Sequence, residues 1–217
     1  MHIETLMKQR YTTKKYNPNK KIPKELLDKL LNVLRLTPTS INSQPYHFIV
    51  ATSQKAKTNI AESMNEVYQF NAEKVIQSSH AIVICSKTNL DEDYLRKIVD
   101  EADQSKRFNS PASKEEYFQF CKNFLLTHRY DKDYVLNWMK RQCYIALGTL
   151  LIGSAALGID STAMEGFDTQ RLDKNFDLNT QQLTSLVVVS LGYRAEDDYN
   201  SILEKSRLPL KELFTLM

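Results

Sequence analysis

Glycine is scarce in this chain: 217 residues hold five, at positions 148, 153, 158, 166 and 192. None belongs to a Gly-x-Gly-x-x-Gly run or a Walker-type loop, so the backbone cradles that such loops build for phosphates are missing. If the chain holds a phosphate, cationic side chains must do most of it. Cysteine is thin as well. Cys85, Cys121 and Cys143 are odd in number, widely spaced and without a Cys-x-x-Cys pair, which suits a reducing compartment better than a disulfide framework. His2, His47, His80 and His128 lack metal-ligand spacing, and each reads as structural or surface. No metal is expected.

Charge of one sign is also lacking. A balance of 29 basic against 26 acidic residues gives +3, too even for a nucleic-acid footprint, and no basic run alternates with aromatics. The start has no apolar signal region, and the weakly polar stretch from Ile145 to Ile159 is broken by Thr149 and Ser154 and too short to span a bilayer. The expectation is a cytoplasmic protein that meets neither nucleic acid nor membrane. With 42% hydrophobic residues and no Pro-, Gly- or Ser-rich linker, residues 1–217 read as a single domain.

What is present centres on Leu36 to Ala51. An amphipathic helix bearing Leu26, Leu27, Leu30, Leu31 and Leu34 stops near Pro38, hydroxyls and amides crowd Thr39 to Gln44, and an apolar strand, Phe48 to Ala51, follows Pro45. Proline disfavours the α region in the residue before it, so Thr37 and Gln44 are expected to be extended and the loop to present its side chains. Such a loop could line a pocket for a polar ring, or simply join helix to strand.

Along the rest of the chain, Arg10-Tyr-Thr-Thr-Lys-Lys-Tyr16 sets cations among hydroxyls, either a phosphate clamp or a solvated basic loop. Ser53 caps a helix from Gln54 to Met64, and Tyr68 to Lys74 sets two aromatics beside an amide and a lysine. Ala81 to Cys85 and Leu186 to Leu191 read as buried strands, with a shorter one from Ser161 to Met164. The acidic run Asp91 to Asp93 opens a helix, Ser113 with Glu116 reads as a capping box for another, and Asp168 caps a third. From Tyr134 to Leu157 runs the longest helical pattern, apolar nearly all round in its second half and so expected to be buried on every face. Beyond Gly192 a long tail ends in an apolar segment, Leu213 to Met217, which needs a surface to cover, on its own domain or on a partner subunit.

Taken together, Arg10 to Tyr16, Thr37-Pro-Thr-Ser-Ile-Asn-Ser-Gln-Pro-Tyr-His-Phe48, Met164-Glu-Gly-Phe-Asp168, Leu186 to Val189 and Lys205-Ser-Arg-Leu-Pro209 resemble the oxygen-insensitive NAD(P)H nitroreductases, in the same order and over essentially the whole chain. The resemblance extends to the dihydropteridine and flavin reductases of that family. It implies an α+β fold with a central, mixed but mainly antiparallel sheet and a homodimer whose C-terminal segments are exchanged onto the partner's sheet. It also implies FMN in each of two interface clefts, with NADH or NADPH as electron donor. Carried over position by position, Arg10, Thr12, Lys205 and Arg207 would hold the FMN phosphate, with Tyr11 contributing only its backbone. Lys14, Asn71 and Lys74 would lie at the pyrimidine edge. Pro38, Thr39, Ser40 and Asn42 would come from the other subunit, and Gln142 would line the site. The main chain of Glu165 and Gly166, after Ala163 and Met164, would face the flavin centre. Ile41, Tyr68, Phe70 and Phe124 would surround the open face where nicotinamide and acceptor bind in turn.

On that resemblance, the activity is two-electron ping-pong reduction of nitroaromatics and quinones. Lys14 and Lys74 would tune the flavin by stabilising negative charge at its pyrimidine end, and no side chain is needed as acid or base. Reduction of a dihydropteridine or free flavin, and flavin binding without turnover, are the alternatives. The chain departs from the family pattern at Tyr11, Ile41, Ala163 and Met164, which bears on substrate range more than on the cofactor.

Overall fold

The protein is described by a computed structural model covering residues 2–127 and 132–217; His128 lies outside the described residues. In chain order the elements are α1 (Ile3–Gln9), α2 (Lys24–Arg35), β1 (Tyr46–Ala51), α3 (Gln54–Ala61), α4 (Gln69–Gln77), β2 (His80–Lys87), α5 (Glu92–Gln104), α6 (Pro111–Thr127), α7 (Lys132–Ala156), β3 (Asp160–Met164), α8 (Thr169–Asn175), β4 (Leu183–Gly192) and α9 (Leu210–Leu213). The strands form one sheet in the order β1-β2-β4-β3, every neighbour antiparallel. A parallel pairing occurs as an isolated bridge from Thr12 to Ser161. A bulge in the β2–β4 ladder lies between Ile84 and Cys85.

Antiparallel sheets often leave one face to water, but β2 and β4 are buried at nearly every position because both faces of this sheet are covered. Side chains alternate across the strand, so Ile82, Ile84, Val187 and Val189 pack with Leu27, Leu30 and Leu34 of α2 and Cys143, Ala146 and Leu150 of α7. Ala81, Val83, Cys85 and Val188 point the other way, into a second core with Ile60 of α3, Val75 of α4 and Leu172 of α8. A smaller cluster, Leu95, Val99, Phe118 and Cys121, joins α5 to α6. The architecture is therefore α+β, a sheet between helical layers with an α5–α6 pair at its side. Among the described residues no helix is long and apolar enough to cross a membrane.

Local signals explain most boundaries. The Ser53 hydroxyl accepts the Ala56 N–H, Asp91 caps α5 through the Tyr94 N–H, and Asp168 caps α8 through the Arg171 N–H. Three expectations fail. Ser113 does not open α6: the helix starts at Pro111, and the Ser110 hydroxyl accepts the Ser113 N–H at 3.2 Å. Proline at the first helical position, with its missing donor and preset φ, moved the start upstream. Gln44 is not extended but has φ 42°, because its N–H is taken by Thr39 Oγ1 at 3.1 Å and its carbonyl by the Tyr94 hydroxyl at 2.6 Å. Residues 40–42 coil into a 3-10 turn instead of presenting an extended loop. Finally, α7 is not buried all round in the single chain: Tyr144, Ile145 and Ile152 are exposed on one face.

At the start of β2 the Ser79 hydroxyl accepts the Ile22 N–H at 2.7 Å and lies 2.9 Å from His80 Nδ1. Burial, followed by Lys57 and Lys21, lowers the His80 pKa from 6.5. A depressed folded value means that the unfolded chain binds the proton more readily, so the stability His80 contributes is present above about pH 6.5 and lost as pH falls below it. Urea midpoints measured from pH 8 to 5 should fall more steeply for the wild type than for His80→Gln. Parallel curves would mean that His80 carries none of the pH dependence.

Candidate functional site

Arg10, Lys205 and Arg207 form a cation cluster. Lys205 Nζ donates to the Arg10 carbonyl, and Arg207 lies near enough to lower the pKa of both Arg10 and Lys205 after the larger effect of burial. Among the described residues no carboxylate pairs with Arg10, Lys205 or Arg207. The buried Nε of Arg10 has no hydrogen-bond partner. A buried charged donor left unpaired is costly, and its usual resolution is an anion. Thr12, Lys205 and Arg207 line a cavity of about 670 Å³ with Asn200.

The Tyr11 side chain is engaged by Asp198 and Arg194. Its hydroxyl donates to Asp198 at 3.1 Å, its ring lies 4.6 Å from the Arg194 guanidinium, and burial raises its pKa to about 12. Tyr11 and Arg194 line the same cavity as Thr12 and Lys205.

A second cluster forms where α4 meets the end of β3. Lys74 Nζ donates to the Phe70 carbonyl at 2.7 Å and to Asn71 Oδ1 at 3.1 Å, and Asn71 Nδ2 donates to the Gly166 carbonyl at 3.0 Å. Lysine can only donate and a carbonyl can only accept, so these two neighbours fix the orientation of the Asn71 amide. Both side chains are buried, and burial, then Lys14, lowers the Lys74 pKa. Two of its three N–H groups are used within the chain. The Phe70 ring lies 4.7 Å from Nζ, and Tyr68 and Phe70 stay exposed beside the cluster. Gly166 is required by contact: a Cβ there would lie 2.7 Å from the Tyr68 ring and 2.9 Å from Asn71 Nδ2. Glu165 is exposed and accepts from the Tyr144 hydroxyl, a phenol that burial and this carboxylate raise to about 12. Ala163 and Met164 turn their side chains into the cores, leaving only main chain for a site.

The remaining candidates form a group hung on α6 and α7. The Ser40 N–H donates to buried Gln142 Oε1 at 2.9 Å, and Thr39 Oγ1 closes the turn on Gln44. Pro38 and Asn42 are exposed at its ends. Ile41, at φ 48° and ψ 26°, packs on the α5–α6 cluster, and the Phe124 ring sits 5.4 Å from that of Trp138. One chain thus gathers Arg10, Thr12, Lys205 and Arg207 at one cradle, Lys14, Tyr68, Phe70, Asn71, Lys74, Glu165 and Gly166 at a second cluster, and residues 38–42 with Gln142 in a third.

The sequence matches the Nitroreductase family over residues 7–193. The chain belongs to that family. It is 40% identical over 215 residues to an oxygen-insensitive NAD(P)H nitroreductase of Salmonella typhimurium, covering 99% of both chains. It is 34% identical to a major NAD(P)H-flavin oxidoreductase of Aliivibrio fischeri, over 97% of this chain and 96% of that one. Among solved structures, an Exiguobacterium sibiricum protein crystallised with FMN superposes with a TM-score of 0.86 at 19% identity, covering 100% and 98%.

Sequence reasoning missed Tyr144, Asp198 and Asn200 in this nitroreductase chain. Tyr144 carried one signal, a hydroxyl on an otherwise apolar stretch of helix, and Asp198-Tyr-Asn200 carried the spacing of an Asx turn. Gly166→Ala should cost about 1 to 3 kcal/mol, the usual range for overpacking, by displacing Tyr68 or breaking the Asn71 bond. An unchanged urea midpoint would show that Tyr68 swings away freely.

Proposed function

We propose that this chain is an FMN-dependent NAD(P)H oxidoreductase that reduces nitroaromatics and quinones two electrons at a time. The observation that carries the reading is the set of mutually repelling cations around the unpartnered Arg10 Nε, which fits the terminal phosphate of FMN. Arg10, Thr12, Lys205 and Arg207 would hold that phosphate, and Lys14, Asn71 and Lys74 would meet the pyrimidine edge. When bound, FMN supplies hydride chemistry that no side chain here can perform.

The protein's part is to bind, orient and bias. Lys74 has one N–H left and Lys14 a second positive charge beside it, so negative charge placed at this edge is stabilised without proton transfer. The Gly166 carbonyl is held by Asn71, and the Glu165 carboxylate is held by the Tyr144 hydroxyl. Tyr68 and Phe70 offer exposed rings to a planar substrate, and donor and acceptor would bind beside them in turn.

The working form would be a homodimer, residues 1–217 folding as one domain. The exposed face of α7, where Gly148 has open space in front of it, and the exposed Leu208, Leu210, Leu213, Phe214 and Leu216 support it. In that dimer Pro38 to Asn42, Gln142 and Phe124 of one chain would complete the pocket of the other, Ile41 shaping its acceptor side. A cytoplasmic location agrees with three free cysteines. The Aliivibrio relative supports a second reading within the same site, reduction of free flavin.

Purified protein should show a flavin band that NADH or NADPH bleaches without oxygen and that a nitroaromatic or quinone restores. Arg207→Ala removes a charge-assisted bond of about 1.5 to 3 kcal/mol and should weaken FMN binding by about tenfold or more. No flavin band after incubation with FMN would sink the assignment. A band that never bleaches would favour binding without turnover, and faster turnover of free FMN than of nitroaromatic would favour the second reading.

A further inference from the structure

The short backbone from Tyr11 to Lys14 reaches in two directions. Thr12 lines the cation-rimmed cavity with Asn200, Lys205 and Arg207, while the Lys14 charge acts on Lys74 in the neighbouring cluster. What holds this backbone is Asp198, a carboxylate only 2% exposed. Its Oδ2 accepts from the Lys14 main-chain N–H at 3.1 Å and from the Tyr11 hydroxyl at 3.1 Å, and its Oδ1 accepts from the Asn200 N–H at 3.1 Å. Asn200 in turn donates from Nδ2 to the Thr12 carbonyl at 2.7 Å. The segment is thus gripped at the Thr12 carbonyl and at the Lys14 N–H by two residues that are themselves bonded to each other.

A buried carboxylate is tolerated only with its hydrogen bonds made, and here each oxygen has donors. Its charge, however, has the wrong sign for a neighbour of an anion cradle, since at short range it opposes any anion bound there. Its charge is favourable toward Arg194, but toward an anion in the cradle only its geometry can help. We propose that Asp198 is a positioning residue: it aligns Thr12 with the phosphate clamp and Lys14 with the ring clamp, so that a ligand carrying both a phosphate and a flat heterocycle is held in one register. The proposal rests on the FMN reading above.

The test titrates the full chain with FMN and, separately, with riboflavin, following the quenching of flavin fluorescence. Riboflavin lacks the phosphate, so the ratio of the two affinities isolates what the clamp contributes. Asp198→Ala should lower FMN affinity by about 10- to 100-fold, the scale of lost hydrogen bonds to a charged group, and riboflavin, which meets only the Lys14 end, should lose less, so that the ratio of the two affinities falls. Simple electrostatics predicts the opposite sign, tighter FMN once the negative charge is gone. Asn200→Ala, which releases only Thr12, should lower the FMN-to-riboflavin ratio by about three- to tenfold, and it carries the test if Asp198→Ala fails to fold. Unchanged or tighter FMN binding in Asp198→Ala, equal losses for both flavins, or an unchanged ratio in Asn200→Ala would overturn the proposal. A wild-type chain that binds neither flavin would instead remove the FMN reading, and this proposal with it.

Discussion

The site depends on a closure between the two ends of the chain. Residues near 10–17 lie against residues near 192–205: the Asn17 N–H meets the Tyr193 carbonyl at 2.8 Å, the Ala195 N–H meets the Lys15 carbonyl at 3.0 Å, and Lys205 reaches Arg10. Loop-closure entropy grows only with the logarithm of length, so joining such distant segments costs little more than joining near ones once the sheet has formed. The sheet makes the join specific. Tyr16 is buried at 1% exposure with its hydroxyl 3.0 Å from Thr162 of β3 and from the Ser190 carbonyl of β4, and its ring presses on Gly192, where a Cβ would lie 3.0 Å away. A side chain at 192 would crowd both the Tyr16 ring and the Ser79 backbone, the contacts that close this end of the sheet.

That closure brings like charges together, which folding alone would not favour. Arg10 and Lys205 each have lowered pKa values, through burial first and neighbouring cations second, so the cradle subtracts from stability until an anion arrives. The polar loop stores strain in another form. Ile41 is β-branched yet sits at φ 48°, a conformation costing on the order of 1 to 3 kcal/mol. It persists because the turn is held from outside, at Ser40 by Gln142 and at Gln44 by Thr39 and Tyr94. Both features are departures from local preference at positions that the resemblance had marked for cofactor and substrate, where such departures are expected.

This pattern also explains what was legible in the sequence. Strands β2 and β4 could be read because two covered faces leave uninterrupted apolar runs, and α3, α5 and α8 because their caps are local. The nitroreductase resemblance implied the fold, and it named Arg10, Thr12, Lys205 and Arg207, which the folded chain brings near one another. Gln44 was misread because the rule for residues before proline is a local steric preference, outweighed here by bonds from Thr39 and from Tyr94, fifty positions away. Asp198 was missed for a related reason. Among Glu196, Asp197 and Asn200 it reads as one more solvated acid, and its burial arises only when Tyr11 and Lys14 fold over it.

The long helix α7 connects these observations. Gln142 holds the polar turn at Ser40, and Tyr144, two residues on, holds Glu165 beside the Lys74 cluster. Residues two apart on a helix do not share a face, so one rigid turn grips two separate parts of the site from different sides. Tyr144 also belongs to the exposed apolar face that includes Ile145 and Ile152. In the proposed dimer the polar turn would serve the partner's pocket while Glu165 serves its own, so the helix that buries the interface would also set the spacing between pockets. Covering that face and completing each pocket would then be a single event, which accounts for the apolar residues that the helix leaves exposed in the single chain.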